Sequence, residues 1–356
     1  MKASVKTLLV GYFGAKNFGD EWTLATFLQG CRMMGLPIAP IVLSRHPETT
    51  EAEHGCPAVP RQWRTLFRAM KESQLLVGCG GSLLQDATSF RSLLFYAVLF
   101  RQGKAMGKKV ALLGQGLGPF YRPVSRWLAK WVLKSCDLVT FRDRGSEKLA
   151  RRLGATPKRM ALTADLTFAW GGAAQQRFSD DRRYPVGLNL RPLPLSTQRK
   201  AAGREEGWRQ ALKEWLAQQG TALLLLPLQR EVDEKSLASF AEGLAAHWWR
   251  WERWREALEG IGKVSLLIAM RLHGLIAACL LGVPFVGIGY DPKVAGVLGE
   301  AFGDRLLSLP ASSEAVLAVL WKVRERAESF SERADAFVTE RRRLARQNFS
   351  LLQELL

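Results

Sequence analysis

Histidine and cysteine, the side chains that most often announce catalytic or metal chemistry, are scarce in this chain of 356 residues: four and five. The cysteines (Cys31, Cys56, Cys79, Cys136 and Cys279) are odd in number and scattered, without metal-ligand spacing. That argues against a disulfide framework or a zinc site and for reduced thiols in a cytosol. Acid is short as well: 33 Asp and Glu face 51 Lys and Arg, a net charge of +18. The imbalance favours acidic partners and does not choose among phosphorylated substrates, nucleic acid and an anionic membrane surface. There is no G-x-S-x-G elbow, no Walker loop and no cluster of metal ligands, so no metal is expected. Long apolar runs are missing too. Leu275 to Tyr290 is apolar enough to suggest a membrane span, but it is short and broken by Gly282 and Pro284. Only Leu8 to Val10 precede Gly11, too little for the apolar core of a signal peptide, which makes a cytoplasmic location the expectation. Low-complexity tracts and internal repeats are also missing.

What is present is the composition of a soluble globular protein, 47% hydrophobic and 24% charged, with length enough for two cores. The chain is organised around Gly262 to Val297. Val264 to Met270 is an apolar run of strand length, and Arg271, Leu272 and His273 follow at once, leading into an apolar helix pattern from Gly274 to Leu281. A second strand, Pro284 to Gly289, ends in Tyr290, Asp291 and Lys293. In an open α/β sheet, polar groups at the C-terminal ends of strands mark the ligand edge. Arg271 and His273 then sit at a helix N-terminus, where unsatisfied N–H groups favour an anion. The bland alternatives are a structural histidine and an interdomain salt bridge.

The rest alternates strand and helix. Lys6 to Tyr12 is a strand, followed by G-Y-F-G-A-K-N-F-G-D and a helix from Glu21 with Asp20 placed as its N-cap. That loop lacks G-x-G-x-x-G spacing, so no dinucleotide fingerprint is supported. Should the loop be functional, Asp20 fits an acid/base or a sugar-hydroxyl ligand. Gln74 to Val77 opens into G-C-G-G-S-L-L-Q-D, and Lys109 to Leu113 into G-Q-G-L-G-P. Glycines between strand and helix permit close backbone approach to a ligand. Trp127 and Trp131, at i and i+4, are expected in the core. The strand Asp137 to Phe141 ends in Arg142, which is either a second strand-end cation or a surface partner of Asp143. Composition shifts over Gly171 to Tyr184, dividing an N-terminal domain (1–172) from a linker (173–184) and a C-terminal domain (185–356). In the second half, Thr221 to Pro227 is a strand followed by Gln229 and Asp233. A helix is expected to carry Trp248, Trp249, Trp251 and Trp254 among arginines, as packing residues or as an interfacial membrane contact. The basic cluster Arg341 to Arg343 with Arg346 reads as a solvated helix face that would also suit a phosphate-rich surface.

Taken in order, the landmarks G-Y-F-G-A-K-N-F-G-D (11–20), G-G-S-L-L-Q-D (80–86), G-Q-G-L-G-P (114–119), F-R-D-R-G-S (141–146), A-D-L-T-F (164–168), M-R-L-H-G-L (270–275) and G-Y-D-P-K-V (289–294) cover most of the chain. They resemble those of CsaB-type polysaccharide pyruvyl transferases. The resemblance implies an α/β fold of two Rossmann-like domains facing a central cleft, similar to GT-B glycosyltransferases. It implies transfer of the enolpyruvyl unit of phosphoenolpyruvate to a sugar, forming a cyclic ketal and releasing phosphate, with no cofactor and no nucleic acid. Carried over by motif, Arg142, Arg271, His273 and Lys293 bind phosphoenolpyruvate, and His273 and Asp20 share the acid and base roles, in an order the sequence does not decide. Asn17, Gly80, Gly81, Ser82, Gln115 and Gln229 are expected loop or acceptor contacts. The acceptor implied is lipid-linked, which places the enzyme on the inner face of the cytoplasmic membrane. Three positions depart from the family pattern: Cys79 replaces the first glycine of a triplet, Leu166 a proline, and Arg144 an acid. These are expected to alter loop backbone, acceptor choice or domain packing. The competing readings are a GT-B-type nucleotide-sugar glycosyltransferase and a non-catalytic polyanion- or membrane-binding protein.

Overall fold

A computed structural model describes residues 4–174, 182–193, 205–290, 292–325 and 329–356. Part of the expected linker and Asp291 of the Y-D-P-K motif lie outside them. The chain divides into two units, residues 1–170 with 340–356, and residues 171–339.

Each unit is one parallel sheet with helical crossovers. The first holds β1 (Val5–Phe13), β2 (Ile38–Ser44), β3 (Ala58–Pro60), β4 (Leu75–Cys79), β5 (Lys109–Gln115), β6 (Leu138–Phe141) and β7 (Met160–Leu162), in the order β3-β2-β1-β4-β5-β6-β7. Its helices are α1 (Phe18–Met33), α2 (Pro47–His54), α3 (Trp63–Glu72), α4 (Phe90–Ala105), α5 (Pro123–Ser135) and α6 (Arg144–Arg152). The second holds β8 (Tyr184–Asn189), β9 (Leu223–Leu225), β10 (Ala246–Trp248), β11 (Val264–Ala269), β12 (Phe285–Gly289) and β13 (Leu306–Ser308), in the order β10-β9-β8-β11-β12-β13. Its helices are α7 (Glu205–Gln218), α8 (Arg230–Ala241), α9 (Trp254–Gly262), α10 (Leu272–Leu281), α11 (Pro292–Phe302), α12 (Ser313–Glu325) and the start of α13 (Phe330–Leu355). In both sheets all strands are parallel and the strand order reverses once, between β1 and β4 and between β8 and β11. Such a reversal opens a crevice at the strands' C-terminal ends.

Helices on both faces explain why the central strands read as unbroken apolar runs rather than alternations. Leu8, Leu9 and Val10 of β1 are all inaccessible, as are Leu75, Leu76 and Val77 of β4. Each such side chain contributes about 1.5–3 kcal/mol relative to exposure. In the second unit Leu267, Ile268 and Ala269 of β11 are equally buried. The apolar stretch from Leu275 onward is α10 and β12, both internal to that unit. Among the described residues no helix is long and apolar enough to cross a membrane.

Three expectations change. The second unit does not run to the C-terminus, because residues 340–356 return to the first. Asn348 is buried there, donating to the Ala164 carbonyl (3.2 Å) and accepting from Thr163 (3.0 Å) and Thr140. Phe349 stacks on Phe27 at 6.0 Å, an approach that the missing side chain of Gly30 permits. Trp127 and Trp131 are not core residues but lie on the outside of α5. The tryptophan-rich helix of residues 248–254 is instead the strand β10, a loop and the first residue of α9. Two of its indoles are used locally, Trp249 donating to the Glu256 carbonyl (2.7 Å) and buried Trp251 to that of Pro227 (2.8 Å), whereas Trp248 is exposed.

Candidate functional site

In the first unit, the loops after β1, β4, β5 and β6 form a hydrogen-bonded frame. The loop after β1 contains Lys16 in the left-handed region (φ 47), a conformation that costs a non-glycine residue. It is held from inside by Glu21, whose carboxylate accepts from Gly14 N (2.8 Å) and contacts His54 Nε2 (3.1 Å). Sequence reasoning passed over Glu21 because an acid in a helix's first turn is unremarkable. Glu21, Glu53 and His54 are also the group among the described residues with metal-ligand chemistry, their atoms lying within 4.8 Å. Both Glu21 oxygens already accept bonds, which favours a structural role. The N-cap of α1 is Asn17, whose Oδ1 accepts from Gly19 N (3.2 Å), and not Asp20. Asp20 sits in the first turn, half-buried, its carboxylate turned toward Gly81. Asn17, and not Asp20, therefore supplies the cap of α1.

Gly80 and Gly81 are both left-handed (φ 60 and 70), so any L side chain there is strained. A Cβ on Gly80 would also meet Thr23 at 2.7 Å, whereas one on Gly81 would find only Asp20 within 4 Å. Cys79 needs no such conformation, so its replacement of a glycine leaves the loop intact. Burial pushes its thiol well above the usual range. Leu166 is fully buried and packs over Gly80 and Gly114, which places that departure in the core. Gln115 is buried with its amide donating to the Gly80 (2.8 Å), Gly78 (3.2 Å) and Leu113 (3.2 Å) carbonyls. It ties β4 to β5 and has no donor left for a ligand.

Arg142 is likewise drawn inward. It is 3% exposed, bonded to Asp165 (2.9 Å) and to Ser82 Oγ (3.3 Å). Asp143, its alternative partner, instead caps α6 by accepting from Ser146 N and Oγ, each at 2.7 Å. A Cβ on Gly116 would lie 2.3 Å from Ser82 Oγ and 2.9 Å from Arg142 Nη2. That glycine is what lets the arginine pass. Arg144 is exposed at the start of α6.

In the second unit the strand ends carry more open chemistry. Arg271 is the N-cap residue of α10, and its guanidinium grips Asp233 through Nε (2.7 Å) and Nη2 (2.5 Å), with Gln229 Oε1 at 3.0 Å from Nη2. Asp233 is fully buried and also accepts from Asn189 Nδ2 (3.0 Å) and Gln229 N (2.9 Å). These bonds engage Nε and Nη2 and leave Nη1 outside the network. A two-point grip of this kind fixes the plane of the guanidinium. His273 lies in the first turn of α10, half-buried, and Lys293 in the first turn of α11.

Arg191, which sequence reasoning missed, stands just past β8, the strand paired with β11 at the reversal. Its Nη1 donates to the Tyr290 hydroxyl (2.7 Å), and its guanidinium lies 5.1 Å from the centre of that ring. Among the described residues it has no carboxylate partner, and its buried Nε has no hydrogen-bond partner. The signal was present in N-L-R at the end of a strand, but arginines are too common in this chain for one to stand out.

A family model for polysaccharide pyruvyl transferases matches residues 17–292. The chain belongs to that family. No curated protein matches it. Solved structures of similar fold include HepE of Anabaena with UDP and glucose (13% identity, 99% of both chains, TM-score 0.58). Another is the UDP-GlcNAc 2-epimerase of Neisseria meningitidis bound to UDP-GlcNAc (9% identity, 98% of this chain and 100% of that one, TM-score 0.66). A glycosyltransferase of Rickettsia africae is similar at 9% identity, covering 99% of this chain and 98% of that one, with a TM-score of 0.59. At such identities the likeness establishes the fold: an α/β, GT-B-like pair of Rossmann-like units. The matched span of this pyruvyl transferase runs from Asn17 through all three strand-end arginines, Arg142, Arg191 and Arg271, to Pro292.

Proposed function

We propose that this transferase uses phosphoenolpyruvate as donor and builds a cyclic pyruvate ketal on a sugar of a cell-surface polysaccharide precursor. The observation that supports it is the group Arg191, Arg271, His273 and Lys293 at the C-terminal ends of β8, β11 and β12. Phosphoenolpyruvate carries a phosphate and a carboxylate, so it needs several charge-assisted donors. Arg271 is oriented by Asp233, Arg191 has no carboxylate partner among the described residues, and helix N-termini add backbone N–H groups. Ketal formation begins when a general acid protonates the methylene carbon, leaving an oxocarbenium-like centre at C2. One sugar hydroxyl adds there and loses its proton to a base; a second hydroxyl then displaces phosphate, which leaves with the C–O bonding pair and takes up that hydroxyl's proton. We assign the acid to His273 and the base on the acceptor hydroxyl to Asp20. Arg142 acts through Ser82 and the glycine loops as a positioning residue. No cofactor enters this chemistry; the acceptor we infer is lipid-linked, with the enzyme at the cytoplasmic face of a membrane.

The test is incubation of the full chain with phosphoenolpyruvate and candidate free or lipid-linked disaccharides. Phosphate release with a mass gain of one pyruvyl unit is expected. Nucleotide release from a UDP-sugar instead, without ketal, would make it a glycosyltransferase, and anion binding that survives loss of His273 with no turnover at all would make it a binding protein.

A further inference from the structure

The helices α3, α4 and α5 of the first unit show an outer surface that the chemistry above does not use. On α5, Ser125, Leu128, Ala129, Val132 and Leu133 face inward. Opposite them Val124, Trp127 and Trp131, at i, i+3 and i+7, are 45%, 58% and 36% exposed. The two indoles stack on each other (5.5 Å, 14° between planes) instead of entering the core. Arg126, Lys130 and Lys134 recur every fourth residue, making a basic row beside this apolar one. On the adjacent α4, Leu94 and Val98 are exposed, and Arg101 reaches over Trp131 at 4.4 Å from the ring centre. Trp63 and Phe67 of α3 continue the surface, Trp63 lying 5.5 Å from Phe95 of α4. Between Asp86 and Asp137 the chain contains no acidic residue, only basic charge.

We propose that this face of α3, α4 and α5 docks the protein on an anionic phospholipid bilayer, with the aromatic side chains entering the headgroup–acyl boundary and the flanking lysines and arginines pairing with lipid phosphates. Aromatic and aliphatic groups rimmed by unopposed cations are the composition of interfacial helices. Exposed contiguous apolar surface on a water-facing helix calls for a cover. A second copy of the chain fits poorly, because a symmetric contact would set the basic rows against each other and bury lysines. The proposal does not depend on the donor assigned above. It also moves the contact away from the two segments that the sequence favoured: Trp249 and Trp251 are bonded locally, and Arg343 is paired with Glu340 (2.8 Å).

The test is co-sedimentation of the full chain with vesicles of phosphatidylcholine alone or with phosphatidylglycerol added. Binding should require phosphatidylglycerol and fall with salt. Arg126→Glu/Lys130→Glu/Lys134→Glu should weaken it about 100-fold, since each cation near such a surface is worth about a factor of five. Trp127→Ser/Trp131→Ser should weaken it by at least about tenfold while leaving the circular dichroism spectrum unchanged. Trp321→Ser, exposed in the second unit, should have no effect. Full binding by both α5 variants, loss of binding only on changing Arg341 and Arg346, or absence of binding at low salt would each overturn the proposal. So would a dimer in sedimentation velocity that the tryptophan variant dissolves.

Discussion

Arg142 and Arg271 look alike in the sequence: each follows an apolar strand directly, and each is paired in the structure with a fully buried aspartate. Their surroundings separate them. Arg142 follows β6, two strands beyond the reversal of its sheet, is 3% exposed, and holds Asp165 through one nitrogen. Arg271 follows β11, at the reversal itself, keeps 11% of its side chain exposed, and holds Asp233 through two. The first arrangement braces loops; the second presents an oriented cation. A strand-end arginine is therefore a ligand candidate only when the sheet's topology opens a crevice beside it and part of its guanidinium stays exposed.

The comparison is tested most strongly at His273, two residues past Arg271. His273→Gln should keep the fold and most phosphoenolpyruvate affinity, because amide and imidazole both donate hydrogen bonds. Turnover should fall by roughly 10²–10⁴-fold, the usual worth of a positioned acid, and solvent hydrogen exchange into the methylene carbon should fall with it. Poor binding with normal turnover at saturation would make His273 a phosphate ligand and pass the acid role to Lys293 or Asp20.

Next come the arginines themselves. Arg142→Ala removes the charged partner of the fully buried Asp165 and should cost about 3–5 kcal/mol in denaturant unfolding. Arg271→Ala leaves Asp233 its bonds from Asn189 and Gln229, so its stability cost should be nearer about 2 kcal/mol. Its phosphoenolpyruvate affinity should fall by a further ~2–3 kcal/mol in calorimetry. Equal stability losses with equal affinities would erase the distinction.

The outline of the fold was legible because buried parallel strands are written as apolar runs with glycine loops after them. The motifs around Arg271 and Lys293 were legible for the same reason, being attached to the ends of such runs. Three features were not. Asp233 belongs to α8, in the crossover from β9 to β10, and Asp165 follows β7; pairings over such distances leave no local pattern. The return of residues 340–356 to the first unit depends on Asn348 and Phe349 meeting strands and helices far upstream, again without local trace. The outward indoles of α5 have the spacing of core residues, and periodicity alone does not say which side of a helix is covered.

Arg191 sharpens the comparison from the other side, as a strand-end arginine with no carboxylate partner among the described residues. Arg191→Ala should reduce phosphoenolpyruvate affinity by about 10–100-fold, the worth of one or two charge-assisted bonds. Thermal stability should change little, since the loss is one hydrogen bond to a half-buried tyrosine. Unchanged affinity with a large drop in Tm would make it another brace, like Arg142.

The smallest effect separates frame from chemistry within the first unit, at Asn17 and Asp20. Asn17 caps α1, so Asn17→Ala should lower stability by about 1 kcal/mol, the ordinary worth of an N-cap. Asp20 makes no cap, and its charge lies in the first turn, where an acid gains about 0.3–1 kcal/mol from the helix dipole. Asp20→Asn should therefore cost less in unfolding than Asn17→Ala, because only the charge is lost and the shape of the side chain is kept. Its effect should appear instead in catalysis: acceptor-dependent turnover should fall while phosphoenolpyruvate binding stays as in the parent protein, since a base on the sugar hydroxyl does not touch the donor. Should Asp20→Asn unfold more readily than Asn17→Ala and still turn over normally, the carboxylate belongs to the frame, and the base must be sought in another side chain.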